Sequence, residues 1–239
     1  MDDTDPFALS GPRGTGRRPL LGLTVLVVED SHFAAEALRM LCLRSGARIR
    51  RADCLRSARY HLQVYRPAVL IVDQGLPDGS GLDLIEEMAA ARPRIAVILG
   101  LSGDSFAEDM AIAAGADGFL PKPVTSLSAF QREILRRLPP DLLSAPPGPI
   151  EDEIIHPDPI AFRDDMAHVA DVLSEESEGR VLDYVAQFLR GVARSANDSA
   201  LAEAAERLAR ARAAGRPVAS ITAVIAGLVQ QRLRDNRAI

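Results

Sequence analysis

Lysine is nearly missing from this sequence: of 28 basic residues 27 are arginine, and Lys122 is the exception. Where arginine serves for every generic positive charge, a single lysine marks a place that needs a compact ammonium instead of a planar guanidinium. Tryptophan is absent and aromatics make up only 4% of residues. The two cysteines, Cys42 and Cys54, are too few for a disulfide framework and fit a reduced cytoplasmic setting. No run approaches the roughly 20 apolar residues needed to cross a bilayer, so no membrane partner is expected. The net charge of −5 argues against bulk electrostatic capture of nucleic acid, although local arginine patches remain open. Arg17-Arg18 ahead of the apolar run Leu20–Val28 superficially resembles an export signal. That run ends in Glu29-Asp30 without a small-residue cleavage site, so export is not expected.

From Leu23 onward, strand and helix patterns alternate. Residues 24–29 read as a strand, and Ser31 is placed to cap a helix that Gly46 stops. Residues 47–51 form a weaker strand, and 54–65 a helix ending before Pro67. Val69-Leu70-Ile71-Val72 is a short apolar run with two valines and an isoleucine, the signature of a buried strand. It delivers Asp73 at its C-terminal end, and Gly75, Pro77, Gly79 and Gly81 turn the chain at once. A helix over 82–91, a strand over 95–101, a helix over 106–114, a strand over 118–120 and a helix over 125–138 complete five β-α units. The expected fold is α/β, a doubly wound five-stranded parallel sheet of order 2-1-3-4-5 over residues 21–138. Residues 1–20 read as a disordered arm. Seven prolines between 139 and 159 mark a linker over 139–157 with no packed element expected. Residues 158–239 read as an all-α helical bundle, opening with Asp158 as cap and Pro159 at the first helical position.

Ligands gather beyond the C-terminal ends of strands in such a sheet. Strand one ends in Glu29-Asp30, strand three in Asp73, strand four in Ser102, and strand five leads into Lys122. Glu29, Asp30 and Asp73 are hard oxygen donors that suit Mg²⁺, which also offsets the repulsion among three carboxylates. Lys122 and the Ser102 hydroxyl would hold phosphoryl oxygens while the Asp73 carboxylate acts as nucleophile.

These residues, separated by 43, 29 and 20 positions from Asp30 onward, resemble the receiver domain of two-component response regulators. The resemblance implies that Asp73 accepts a phosphoryl group from a histidine kinase or a phosphotransfer protein, with Mg²⁺ bound by Glu29, Asp30, Asp73 and the Gly75 carbonyl. It assigns Lys122 and Ser102 to the phosphoryl group and Ser102 with Phe119 to the conformational switch. It also implies a cis peptide at Lys122-Pro123. A protein of this kind takes up phosphate and hydrolyses it without being a conventional enzyme. Two positions depart from the usual pattern: Gly75 has no side chain two residues after the acceptor, and Asp104 is acidic two residues after Ser102. Both bear on water access to an acyl phosphate.

The C-terminal segment is less explicit. Residues 151–178 contain ten acids against Arg163 alone, and 180–239 ten arginines against five acids. This split fits intramolecular pairing, a partner surface or plain solvated faces. Helices over 180–196, 199–214 and 217–234 are long for a helix-turn-helix reader, so nucleic acid is not the favoured partner. Ala204-Ala205-Glu206-Arg207-Leu208 faintly resembles the histidine-bearing segment of phosphotransfer bundles, with Glu206 where the histidine would stand. His168 reads as a surface or packing residue. The expected output is protein–protein contact, by modulation of a kinase or phosphorelay or by homodimerisation. DNA-binding transcriptional control and a phosphorylation-independent scaffold are the alternatives.

Overall fold

The computed structural model describes residues 18–104, 106–143, 152–175 and 179–235. Five parallel strands form one sheet: β1 (Thr24–Val28), β2 (Arg48–Ala52), β3 (Val69–Asp73), β4 (Val97–Ser102) and β5 (Gly118–Pro121), ordered β2-β1-β3-β4-β5. Between them run α1 (His32–Ser45), α2 (Leu55–Val64), α3 (Gly81–Ala90) and α4 (Ala107–Ala113), and α5 (Leu127–Leu135) follows β5. Side chains alternate across a pleated strand, and here both faces are covered. Val25, Val27, Val69, Ile71, Leu99 and Leu101 enter one core with Leu38, Leu41, Phe130 and Ile134. Leu26, Val28, Leu70, Val72 and Ile98 enter a second with Leu55, Leu84, Ile85 and Ala111. This is why β3 reads as an unbroken apolar run. Pro121, which has no amide to donate, sits at the end of the edge strand β5, where it is tolerated.

Local signals act as their chemistry dictates. Ser31 caps α1 by accepting from the Ala34 amide, and Gly46 closes it with φ 85°. The third helix begins at Gly81 because Ser80 caps it, accepting from the Leu82 amide. The fifth is shorter than the sequence pattern, since Ser126 rather than Thr125 is its cap.

Four helices follow: α6 (Pro159–Glu175), α7 (Arg180–Ser195), α8 (Ser199–Ala213) and α9 (Ala219–Asp235). They share a core of Met166, Val169, Val185, Leu189, Leu201, Leu208, Ile225 and Val229. Asp158 serves the first of them by accepting from the Ile160 amide at 2.8 Å. Asp198 caps α8 and is held in a two-pronged ion pair by Arg232 of α9. Arg212 makes the equivalent pair with Asp183, tying the far ends of α7 and α8. Both pairs lie within residues 180–239, so they use arginines of that stretch without joining it to the acidic residues 151–178.

Two expectations need correction. Leu20, assigned to the N-terminal arm, is fully buried in the α1/α5 core, so packing begins before residue 21; residues 1–17 lie outside the described residues. The stretch read as an unpacked linker is partly packed. Pro140–Leu142 is a 3-10 turn, and Leu142 and Leu143 lie against the core. Beyond it, Ile155 is 2% exposed, Ile154 bridges Ser126, and the Ile155 amide donates to the Thr125 carbonyl. An isoleucine pair inside a proline-rich stretch was the signal.

Candidate functional site

Parallel pairing aligns Val28 with Val72 and Asp73 with Leu101, bringing Glu29, Asp30, Asp73 and Ser102 to one edge of the sheet. Carboxylate oxygens of Glu29, Asp30 and Asp73 lie within 4.8 Å of one another. The lone lysine arrives from β5: Lys122 Nζ is 2.7 Å from Glu29 Oε2 and 2.9 Å from Asp73 Oδ1. The Lys122-Pro123 peptide is cis. Asp73 Oδ2 accepts the Gly75 amide at 3.0 Å, which steers its other oxygen to the lysine. Ser102 lines the same cavity, its hydroxyl accepting the Asp104 amide at 3.2 Å. Phe119, at the other end of the expected switch, is buried in the α4-side core against Gly100.

Glu29 is fully buried, and burial raises its pKa well above the carboxylate range against the pull of Lys122. Burial, then the charge of Asp73, pushes Asp30 up to about 7. Asp73 and Glu29 raise the pKa of Lys122, overcoming the effect of burial, so the lysine stays charged. One ammonium among three carboxylates leaves an excess of negative charge. A hard divalent cation with oxygen ligands fits this donor set and would relieve that excess.

Three sides of this cavity belong to the sheet; the fourth is α7. The Tyr184 hydroxyl donates to Asp30 Oδ2 at 2.9 Å. Arg190 pairs with Asp104 at 3.4 Å and with Glu206 at 3.5 Å. A Cβ built on Gly75 would lie 2.0 Å from Gln187 Nε2, so the space left by the missing side chain holds the Gln187 amide. Gly191 turns its bare backbone to Lys122, 3.6 Å from Nζ to where its Cβ would stand. The volume left between α7 and the carboxylates is about 20 Å³. That is room for roughly one water.

The sequence spacing brought together Glu29, Asp30, Asp73, Ser102 and Lys122, and they do line one cavity. It missed Tyr184, Gln187, Arg190 and Gly191. Positions 184, 187, 188 and 191 fall on one helix face, and a glycine in a helix interior marks a close approach. His168, read as a surface or packing residue, is exposed and lies edge-on to Phe188 at 5.5 Å with Nε2 3.2 Å from the Tyr184 hydroxyl.

The family model described as the response regulator receiver domain matches residues 25–132. Those residues are a receiver domain. The match ends inside α5, and the helical bundle lies outside it. The receiver domain carries the similarity to curated proteins as well. The virulence transcriptional regulatory protein PhoP of Salmonella typhimurium strain LT2 is 28% identical over 135 residues, 54% of this chain and 60% of that protein. The PhoP of Salmonella typhi is 30% identical over 118 residues, 48% and 53% respectively. The chain thus spans little more than half the length of the curated relatives it matches. Among solved structures, a putative response regulator from Chloroflexus aurantiacus is 30% identical with TM-score 0.44, covering 48% of this chain and 98% of that one. The receiver domain of the sensor histidine kinase PA1611 from Pseudomonas aeruginosa, solved with magnesium in its active-site cleft, is 22% identical with TM-score 0.44, covering 48% and 97%.

Proposed function

We propose that this chain is a cytoplasmic two-component response regulator that takes a phosphoryl group onto Asp73 from the phosphohistidine of a kinase or phosphotransfer protein. Asp73, at the edge of the sheet beside a fixed ammonium and two further carboxylates, is the observation that carries this reading. In the transfer, an Asp73 oxygen attacks phosphorus, the P–N bond to imidazole breaks, and the freed imidazole keeps the electron pair and takes up a proton. Lys122 holds one Asp73 oxygen and faces the charge of the incoming group. Mg²⁺ held by Glu29, Asp30, Asp73 and the Gly75 carbonyl would supply the remaining positive charge. The Ser102 hydroxyl would turn from the Asp104 amide to a phosphoryl oxygen, with Phe119 following it.

The helical bundle acts by protein contact on this reading. Arg190, Arg212 and Arg232 are spent on Asp104, Glu206, Asp183 and Asp198, which favours contact over a free basic face for DNA. The PhoP relatives are transcriptional regulators by name, and their likeness covers the receiver half; strong, salt-dependent binding of duplex DNA by the full chain would reverse the assignment of output.

The test is incubation of the full chain with Mg²⁺ and acetyl phosphate, read by intact mass. Wild type gains one phosphate and Asp73→Asn gains none. A wild-type mass unchanged under every phosphodonor tried would refute the assignment.

A further inference from the structure

A phosphodonor can reach Asp73 only from beyond the C-terminal edge of the sheet, because both faces of β3 are covered by helices. That approach is already occupied. Tyr184 takes Asp30 Oδ2, the Gln187 amide fills the recess over Gly75, and Arg190 grips Asp104. The roughly 20 Å³ that remain admit about one water, far less than a phosphoryl group with a hydrated cation.

The contact is also built at its margin. Asp165 of α6 has 0% exposure, and its carboxylate is turned to the receiver: it accepts from Ser31 Oγ at 2.7 Å and from the His32 and Phe33 amides at 2.7 and 3.1 Å. These donors are the start of α1, immediately after the acidic pair, so a carboxylate from the bundle completes the N-terminus of a receiver helix. Phe162 adds an edge-on contact to Phe33 at 5.8 Å. Bonds of this kind, specific and without a large shared apolar core, suit a contact that is made and broken.

We infer that the α6–α7 face is an intramolecular stand-in for the phosphodonor: it occupies the docking face of a phosphohistidine-bearing helical partner, and the donor must displace it before Asp73 reacts. This rests on the phosphoacceptor reading above and names its regulation. Tyr184 and the cation compete for Asp30, Gln187 and the phosphoryl group for the recess over Gly75. Phosphorylation then holds the site open and leaves the α6–α7 face free for other proteins.

The full-length protein tests this with two variants. Asp165→Asn combined with Tyr184→Phe removes bonds to the receiver while leaving the bundle core intact. Arg190→Ala breaks the Asp104 contact separately, in case the first variant folds poorly. The first readout is the rate of Asp73 phosphorylation by acetyl phosphate with Mg²⁺, expected to rise about tenfold or more in the double variant and less in Arg190→Ala. The second is hydrogen exchange of wild type, where Mg²⁺ with beryllium fluoride should strip protection from the His32 and Phe33 amides and from the α7 face. Equal phosphorylation rates in all three proteins, or beryllium fluoride binding with protection unchanged, overturns the displacement while the acceptor assignment stands. No phosphate on any of them overturns both.

Discussion

Replacing Lys122 by methionine isolates the charge balance of the site. The methionine keeps most of the side-chain volume but removes the ammonium that lies 2.7 Å from Glu29 and 2.9 Å from Asp73. Glu29 is then a fully buried carboxylate facing Asp73 with no cation between them. Breaking one side of a buried ion pair costs about 3–5 kcal/mol, which for a chain of this size lowers the melting temperature by roughly 6–20 °C. The cost must depend on pH. Lys122 holds the Glu29 pKa down against burial, so its removal lets Glu29 protonate more readily. A proton can then stand in for the lysine under acidic conditions, whereas rising pH makes that proton progressively more costly to keep. Urea unfolding of wild type and Lys122→Met at pH 5.5 and pH 8, without divalent cation, measures both effects. The deficit should be largest at pH 8 and recover in part on adding Mg²⁺. A deficit below about 1 kcal/mol, or one that grows on acidification, would refute the picture of an ammonium holding two buried carboxylates.

Two further perturbations address the same region. Asp30 in the folded protein titrates near 7, above its ordinary value of 3.8, because burial and Asp73 disfavour its charge. The stability this proton maintains is complete below about pH 4 and is lost as pH rises through 7; thermal melts in chelator should show a lower melting point at pH 8 than at pH 6, with a smaller difference in Asp30→Asn. Gly81→Ala should be damaging, because its Cβ would fall 1.9 Å from the Asp73 carbonyl oxygen, a backbone atom that cannot step aside. A loss of about 2–3 kcal/mol in unfolding free energy is expected, with slower phosphorylation of Asp73 by acetyl phosphate.

The receiver half was legible because its signals are local and its sheet is buried on both faces. Val69–Val72 could only be an interior strand, and Ser31, Gly46 and Ser80 act on neighbours a few positions away. The site was legible for a related reason: parallel strands put their C-terminal residues at one edge, so polar residues after apolar runs must converge. The contact with the bundle was not. Asp165 sits in an acidic stretch that reads as a solvated helix face, and its partners are 132 to 134 positions away. Only the assembled fold distinguishes it from Asp164, which is exposed next to it. Ile155 was hidden by the prolines around it, which describe the stiffness of a segment and not what its apolar side chains touch.

The strap that ends at Ile155 has a consequence for the bundle. Ile155 is fixed to the receiver core and to the Thr125 carbonyl, and α6 begins at Pro159. Four residues fully extended span roughly 14 Å. A bundle that lets go of Asp30 and Asp104 therefore cannot drift away; it remains leashed at an effective concentration in the millimolar range or above. Closure is then a first-order event, indifferent to how much of the protein is present. If the bundle stands in for the donor as proposed, a phosphodonor at micromolar levels wins the site only by binding it far more tightly than the bundle does, or by leaving behind a phosphoryl group that stops the bundle returning. The length of that leash sets the threshold.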